Sequence, residues 1–315
     1  MRPFSVWANA TIRPRSIRPP MPIVVGAPRS GTTLLRLMLD AHPQLAIPPE
    51  TGFLVAAGKI PSLTSASRRQ LFELVTNFPP EMPGWRDYCI SAEDYWQALL
   101  QLEPFTAAEG IREFYRLYAA RFGKLRYGDK TPGHARGLEA IEQLLPEAVF
   151  VHLIRDGRDV ALSWRPLWFS PGHEMETLAR AWRDWVTSAR RAGANCRSYL
   201  EVRYEELIAQ PQRVLESICR AIDLPFDPGM LDYHTRSAER LAEHAERRRV
   251  DGSLVISHSG RLQMQRRTMQ PPDASRVLAW KSELSPDQQQ RFIAEAGELL
   301  QELGYDRSVS LPKAS

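Results

Sequence analysis

An apolar segment runs directly into a loop of glycine, proline and serine at residues 22–35, PIVVGAPRSGTTLL. The pattern predicts a buried strand, a tight loop and the first turns of an apolar helix. In such a segment the N–H groups of the loop and of the helix start point to one place, where the helix dipole adds positive potential. The segment therefore predicts an anion-binding loop at the end of a strand.

The spacing from Gly26 to Gly31 fits the phosphate loop of nucleoside triphosphatases, G-x-x-x-x-G-K-[ST]. Thr32 occupies the position of the motif's lysine, and the cation of this loop is Arg29, inside the loop. The loop therefore indicates a phosphate-like anion, whereas the missing lysine argues against an ordinary ATPase.

Apolar segments at 148–154 and 199–204 predict two more strands, each followed by a helix. A nearly continuous apolar run such as 148–154 is typical of a strand buried on both faces of a parallel sheet. An amphipathic helix is predicted at 174–192, and a last helix is predicted to begin at a Ser285 cap and to end at Gly304. We therefore expect an α/β fold of the P-loop-like, three-layer type, in which helices flank a central, mainly parallel sheet.

A single domain is predicted over residues 21–307. Residues 53–125 alternate helical patterns with proline-rich breaks and are interpreted as a helical insertion. The charged segment 231–275 is interpreted as a lid or acceptor-site segment, with solvated surface as the alternative. Surface is favoured for the arginines at 247–249, and both alternatives stay open for those at 266–267. Residues 1–20 are expected to form an irregular N-terminal arm, and residues 308–315 a tail.

Composition narrows the classes of function. The 41 basic and 37 acidic residues give a net charge of +4, which suits an anionic ligand better than a nucleic-acid polymer. Cys89, Cys196 and Cys219 are far apart and odd in number, which argues for a reducing compartment and against a disulfide framework or a zinc site. No apolar run approaches the length of a membrane span, so we expect a cytoplasmic protein with neither a membrane span nor a metal site.

A second candidate anion site follows the strand predicted at 148–154. Arg155 stands at the carboxyl end of that strand, where open α/β sheets bind ligands, and Ser163 lies about two turns into the next helix. An arginine and a hydroxyl together suit a phosphate group. Alternatively, Arg155 forms a surface ion pair with Asp156 or Asp159, and Ser163 is an ordinary helix serine.

Residues 26–33, GAPRSGTT, and 153–158, LIRDGR, together resemble the nucleotide-binding motifs of the sulfotransferase superfamily. These enzymes use 3′-phosphoadenosine-5′-phosphosulfate (PAPS); the first motif holds its 5′-phosphosulfate and the second its 3′-phosphate. Segments 130–132, 202–207 and 280–305 are similar to those of bacterial members. The resemblance implies that the nucleotide is bound by Arg29, Ser30, Gly31, Thr32, Thr33, Arg155 and Ser163 and, on a looser match, by Ser275 and Arg276. Tyr204 is a further candidate for packing near the adenine, with an ordinary core tyrosine as the alternative.

Around the first loop the similarity is greatest to tyrosylprotein sulfotransferases, through residues 41–43 and Glu50 with its neighbour Thr51. The resemblance implies that Arg29 acts on the transferring sulfonate, that Glu50 is the general base and that Lys130 is a second cation near the bridging oxygen.

His134, close in sequence to Lys130, is an alternative base. Tyrosylprotein sulfotransferases carry arginines two and six residues after the base, which help to hold acidic tyrosine peptides. This chain has Gly52 and Ala56 at those positions, so a sulfated tyrosine protein is not the expected product.

The expected function is transfer of a sulfonate group from PAPS to a hydroxyl or amine of a small-molecule, lipid or saccharide acceptor, by in-line displacement and without a metal. The alternative is a P-loop kinase or nucleotide hydrolase that uses ATP and Mg²⁺, with Asp156 as the acidic partner of the metal. A third hypothesis is a nucleotide-binding module without catalytic activity.

Overall fold

The computed structural model describes residues 11–12, 18–61 and 65–305. Its strands are β1 Thr11–Ile12, β2 Met21–Val25, β3 Leu45–Ala46, β4 Arg126–Tyr127, β5 Asp129–Lys130, β6 Ala148–Ile154, β7 Ser198–Arg203, β8 Arg247–Arg248 and β9 Leu254–Ile256. Its α-helices are α1 Thr32–Asp40, α2 Leu54–Ala57, α3 Ser65–Thr76, α4 Ala92–Leu100, α5 Ala107–Ala120, α6 Leu138–Leu144, α7 Gly157–Trp164, α8 Met175–Gly193, α9 Tyr204–Ala209, α10 Pro211–Ala221, α11 His234–Leu241, α12 His258–Gln265, α13 Trp280–Glu283 and α14 Pro286–Glu302. Short 3-10 helices lie at Trp85–Tyr88, Pro132–Arg136, Pro228–Met230, Arg266–Met269 and Ala274–Arg276.

The two predicted terminal segments lie largely outside the described residues. Of the predicted N-terminal arm, 1–20, the structure describes residues 11–12 and 18–20. The predicted tail, 308–315, lies wholly outside the described residues.

The central sheet has the strand order β1-β7-β6-β2-β5. Strand β2 pairs in parallel with β5 and with β6, β6 pairs in parallel with β7, and β1 is antiparallel to β7. The register places Val24 opposite Lys130 in one neighbouring strand and opposite Val151 in the other. The prediction of an α/β fold with a mainly parallel sheet is confirmed.

Alternate side chains of the central strands enter two different cores. Ile23 and Phe150 pack with Phe114 of α5 on one face of the sheet. Val24 and Val151 lie in the core on the opposite face, which α1 and α10 cover. This alternation follows from strand geometry, in which successive side chains point to opposite faces, and it produces the three predicted layers.

A third core lies between α7, α8 and α14, and it fixes the end of β6. The rings of Trp182 and Phe292 are 6.0 Å apart, and the indole N–H of Trp182 donates to the carbonyl oxygen of Arg155 at 3.1 Å. Helix α8 matches the amphipathic helix predicted at 174–192. The Ser285 capping box that begins α14 is present as predicted.

The third strand, predicted at 199–204, is β7, and it ends one residue earlier than predicted. Tyr204 is the first residue of α9, whose first turn contains Glu205 and Glu206. Acidic residues in a first turn stabilise the positive end of the helix dipole, which favours the switch from strand to helix at this residue.

Two further segments lie outside the central sheet. Residues 53–125 contain α2 to α5 and residues 231–275 contain α11, the β8–β9 hairpin and α12. The hairpin contacts the segment 53–125 through its turn, where the backbone N–H of Val250 donates to the carbonyl oxygen of Glu81 at 3.3 Å.

The loop between β2 and α1 requires glycine at position 31. Gly31 has φ +99°, and a Cβ atom there would lie 2.5 Å from the Tyr204 ring. A side chain would be disfavoured both by the left-handed backbone and by the packing of that ring.

We expect Gly31→Ala to lower the free energy of unfolding by at least about 1–2 kcal/mol, the ordinary cost of an L-residue in a left-handed conformation. Urea denaturation measures this change. Gly133→Ala is the matched control, because a Cβ there meets nothing within 4 Å and φ is not positive. Equal stability of the Gly31→Ala variant and the native chain would show that the loop backbone is not constrained in this way.

Candidate active site

The parallel strands bring their carboxyl ends to one edge of the sheet, and the predicted site residues gather there. The loop 26–31 follows β2, Lys130 ends β5, Arg155 follows β6 and Tyr204 follows β7. Ligands of open parallel sheets bind at this edge. These residues lie up to 178 positions apart in the sequence, and the parallel topology brings them to one edge.

Two arginines from different loops lie together at the candidate anion-binding end of the site. The Nε of Arg29 donates to the Ser163 hydroxyl at 3.1 Å, and Arg155 Nη1 donates to the carbonyl oxygen of Arg29 at 3.2 Å. Burial and the nearby Arg155 charge both lower the pKa of Arg29. Two cations held this close together indicate a site for a ligand with several negative charges. The structure brings Ser163 to Arg29.

Arg155 is buried and held on several sides. Its guanidinium lies 4.4 Å from the centre of the Tyr204 ring, its Nη2 donates to the carbonyl oxygen of Arg276 at 2.7 Å, and it lies 3.8 Å from Asp159. The alternative of a surface ion pair is therefore right about the partner Asp159 and wrong about the surface, since the arginine is 6% exposed.

The hydrogen-bonding capacity that remains suits an anion. The Nε of Arg155 and the hydroxyl of Ser30 are buried and have no hydrogen-bond partner among the described residues. Because an unpaired buried donor is costly, these atoms fit a group that brings several acceptor oxygens. Thr32 is buried at the start of α1, beside the same loop.

The segment around Ser275 and Arg276 reaches the site through its backbone. The Ser275 hydroxyl donates to Asp273 at 2.5 Å, and the Arg276 side chain pairs with Glu283 at 2.6 Å. Asp159 accepts the backbone N–H groups of Leu278 and Trp280, both at 2.9 Å. The carbonyl oxygen of Arg276 is thereby fixed against Arg155, while both predicted side chains bind elsewhere.

Glu50 and Lys130 form an ion pair at the same sheet edge. The Lys130 Nζ lies 2.6 Å from Glu50 Oε1 and 3.4 Å from the Thr33 hydroxyl. The Lys130 side chain is 4% exposed and that of Glu50 is 53% exposed, so the carboxylate stands at the open side of the pair.

The pKa values of the two groups reflect this arrangement. Desolvation by the surrounding protein raises the pKa of Glu50, whereas the charge and hydrogen bond of Lys130 lower it. The lowering effects together are larger, so the pKa of Glu50 is below its ordinary value. Burial lowers the pKa of Lys130, and Glu50 opposes this effect only in part. Glu50 is therefore ionised at neutral pH and open to a ligand.

A buried hydrogen-bond network lies next to this pair and holds its two segments together. Asp129 accepts hydrogen bonds from the hydroxyls of Thr51 at 2.7 Å and Tyr115 at 2.8 Å. The backbone N–H of Thr51 donates to the Thr131 hydroxyl at 3.0 Å. Thr51 follows Glu50 in sequence and Thr131 follows Lys130, so the network fixes the two segments to each other.

Sequence reasoning missed this network. The adjacency of Asp129 to a cation at a strand end could have suggested it, but the pairing with Tyr115 on α5 depends on the tertiary fold.

His134 lies in the same buried layer. Its ring is 2% exposed and its Nε2 is 3.5 Å from Asp129. Burial lowers its pKa. The structure therefore places this alternative base against Asp129, whereas Glu50 faces the open space.

Asp156 caps α7 and is fully engaged there. Its carboxylate accepts the backbone N–H of Arg158 at 2.9 Å and pairs with the Arg158 guanidinium at 2.7 Å, and all of these groups are buried. The acid that resembled the metal partner of a kinase thus binds an arginine.

Across residues 18–61 and 65–305 we find no helix with the length and apolar character of a membrane span.

The comparisons with known proteins agree with this geometry. A family model described as "Sulfotransferase family" matches residues 20–228. The chain is 27% identical over 221 residues to a putative protein-tyrosine sulfotransferase of Caenorhabditis briggsae, which covers 67% of this chain and 68% of that protein. It is 26% identical over 319 residues to the nodulation protein NoeE of Sinorhizobium fredii, covering 92% and 68% of the two chains.

Two solved structures share the fold. The sulfotransferase domain of the Synechococcus PCC 7002 olefin synthase superposes with a TM-score of 0.60 at 23% identity, covering 95% of this chain and 98% of that domain. The sulfotransferase domain of the curacin biosynthetic pathway has a TM-score of 0.59 at 20% identity, covering 92% and 99%.

We expect Lys130→Met to raise the pKa of Glu50, because it removes the main charge that lowers this pKa and leaves the desolvation that raises it. A ¹³C NMR titration of the Glu50 carboxyl measures the change. Because the pKa of Glu50 is lower in the folded chain than in the unfolded chain, its carboxylate stabilises the native fold at pH values above the unfolded pKa. This stabilisation is lost as the pH falls through the folded pKa. Arg248→Met is the control, since Arg248 pairs with Glu246 at the surface. An unchanged Glu50 pKa in Lys130→Met would contradict the pairing.

Proposed function

Because this chain belongs to the sulfotransferase family, we propose that it transfers the sulfonate group of PAPS to a hydroxyl or amine of a small-molecule, lipid or saccharide acceptor. One observation carries the proposal: two linked arginines and an open carboxylate–lysine pair share one edge of the sheet. The relatives named protein-tyrosine sulfotransferases point to protein acceptors, but Gly52 and Ala56 replace the arginines that the resemblance leads us to expect. We therefore favour the smaller acceptor.

The donor fits the anion-binding end of the site. The loop 26–31 and the start of α1 would hold the 5′-phosphosulfate, with Ser30, Thr32 and Arg29 as side-chain donors. Arg155 would hold the 3′-phosphate through its free Nε, and the Tyr204 ring beneath it would border the adenosine.

The chemistry needs a base and positive charge. The acceptor hydroxyl gives its proton to the Glu50 carboxylate as its oxygen forms a bond to sulfur. The bond between sulfur and the bridging phosphate oxygen breaks at the same time, and the electron pair stays on the leaving bisphosphate. Arg29 and Lys130 offset the negative charge that develops there, in a site already organised before binding. As Lys130 turns towards the leaving bisphosphate, its charge acts less on Glu50. The pKa of the Glu50 carboxyl then rises, and the carboxylate becomes a stronger base.

The P-loop kinase alternative is not favoured, because Thr32 replaces the loop lysine and Asp156 is engaged by Arg158. We also propose a cytoplasmic location. The three cysteines, Cys89, Cys196 and Cys219, are free thiols, which suits a reducing compartment.

We expect adenosine 3′,5′-bisphosphate (PAP) to stabilise the protein by about 2.7 kcal/mol at a concentration of 100 times its Kd, with or without EDTA. Thermal denaturation measures this shift, and ATP with Mg²⁺ is tested in parallel. Arg155→Ala is expected to abolish the PAP shift, whereas Arg183→Ala, at a partly exposed position on α8, retains it. Stabilisation by ATP–Mg²⁺ but not by PAP would refute the proposed donor.

We expect Glu50→Gln to lower kcat by about 10²–10⁴-fold, the usual contribution of a general base, while the Kd for PAP stays near its native value. Single-turnover transfer from radiolabelled PAPS measures the loss, and calorimetry measures the PAP affinity. Glu103→Gln is the control, because that carboxylate is 77% exposed and pairs with Arg68 away from the sheet edge. Full turnover by Glu50→Gln would show that another group, such as His134, takes the proton.

A further inference from the structure

The charged segment 231–275 meets the helical segment at a buried carboxylate close to the proposed base. Asp87 is 1% exposed, and the hydroxyl of the next residue, Tyr88, donates to the carbonyl oxygen of Glu50 at 3.0 Å. Arg247 and Arg261 both bind the Asp87 carboxylate. Two arginines of segment 231–275 thus bind the residue that precedes Tyr88, and Tyr88 contacts the Glu50 backbone directly.

Asp87 has no capacity left for a further donor of this kind. Arg261 binds it in a bidentate manner, with 2.8 Å from each Nη to one of the two oxygens. Arg247 Nη2 adds a third bond at 2.7 Å, and the backbone N–H of Ala245 a fourth at 3.0 Å. Two guanidinium groups share one carboxylate, so Asp87, Arg247 and Arg261 together carry a net charge of +1.

This surplus charge is partly desolvated and acts on Glu50. The side chains of Arg247 and Arg261 are 12% and 15% exposed, so the expectation of solvated surface is wrong for Arg247. The Nη1 of Arg247 is buried with no hydrogen-bond partner among the described residues and faces Gly84, where a Cβ would lie 2.2 Å from it. Burial lowers the pKa of Arg247, and repulsion from Arg261 adds to this effect against the attraction of Asp87. After Lys130, the same two arginines contribute to the lowered pKa of Glu50.

The donor does not account for this charge. Arg29 and Arg155 hold the loop side of the site, while Arg247 and Arg261 pack on the helical segment through Asp87. The cluster adjoins the segment of the proposed base, because Tyr88, next to Asp87, donates to the Glu50 carbonyl oxygen, and the Glu50 carboxylate itself is exposed to an acceptor.

We propose, on the basis of the function proposed above, that the acceptor carries an anionic group, a carboxylate or a phosphate, a few bonds from the hydroxyl that receives the sulfonate. Arg247, with Arg261 behind it, binds that group, while Asp87 positions the two guanidiniums. A guanidinium binds planar carboxylates and phosphates through paired hydrogen bonds, and a second anion would balance the surplus charge.

The first test compares matched acceptors on the native protein with radiolabelled PAPS. 3-Hydroxybenzoate and 3-hydroxyhexadecanoate are each tested beside their methyl esters, and glycerol 3-phosphate beside glycerol. We expect kcat/KM to be at least about tenfold higher for the anionic member of the pair that is turned over, the effect of one charge-assisted hydrogen bond. The carboxylate and phosphate pairs distinguish the two sources of charge. Equal or better transfer to the uncharged members overturns the inference.

The second test does not require turnover. The same anions are titrated calorimetrically into PAP-saturated protein, as the native chain, as Arg247→Gln and as Arg248→Gln. Arg248 is the matched control, since it lies in the same strand with its side chain 49% exposed and paired with Glu246. We expect Arg247→Gln to weaken binding of the anion about tenfold and Arg248→Gln to leave it unchanged. Equal affinity in all three proteins, or no anion binding to the native protein, overturns the inference.

The outcomes separate this inference from the proposed function. If PAP does not bind, the proposed function fails. If PAP binds and uncharged acceptors are sulfonated as well as charged ones, the proposed function stands and the anionic acceptor is excluded. The comparison of acceptor pairs uses the native protein, so it remains decisive even if Arg247→Gln does not fold.

Discussion

The parallel pairing of β2 with both β5 and β6 is the constraint on which the site depends. Because all three strands run in one direction, the loop 26–31, Lys130 and Arg155 emerge at one edge. The register places Val24 opposite Lys130 and Val25 opposite His152, so a slip of one residue in either pairing would separate the anion-binding loop from one of its partners. The apolar alternation of β2 and β6 into two cores holds that register.

A second level of organisation ties the carboxylate–lysine pair to the sheet. Asp129 is a strand residue, yet its side chain receives Thr51 from a loop and Tyr115 from a helix. The network fixes the positions of Glu50 and Lys130 through their neighbours and makes no hydrogen bond to the side chains of the pair itself. Rigid backbone below and an exposed carboxylate above suit a group that must be held at one position and remain free to accept a proton.

Much of the fold and half of the site could be predicted from sequence because their signals are local. The loop 26–31 and Arg155 both follow apolar strands, and strand ends of parallel sheets are where ligands bind. The apolar ring of Tyr204 continues the strand pattern and so predicts a strand, whereas the acidic residues after it favour the helix that the structure has. The environment of His134 could not be predicted, since its burial depends on Asp129. The convergence of Arg247 and Arg261 on Asp87 spans 160 and 174 residues, and no local pattern encodes a contact of that range.

The two carbonyl groups on Arg155 come from opposite ends of the described chain. One belongs to Arg29 in the first loop, and the other to Arg276, which Asp159 secures through the backbone of the following residues. The guanidinium is thus completed only when the first and last parts of the domain have both folded onto the sheet. During synthesis the loop 26–31 emerges early, but the anion site to which it belongs forms only after the segment beyond residue 276 has been made. If the site binds the proposed donor, nucleotide affinity reports on the integrity of the whole domain, and a chain that ends before this segment would keep the loop and lose the contacts that Arg276 makes to Arg155.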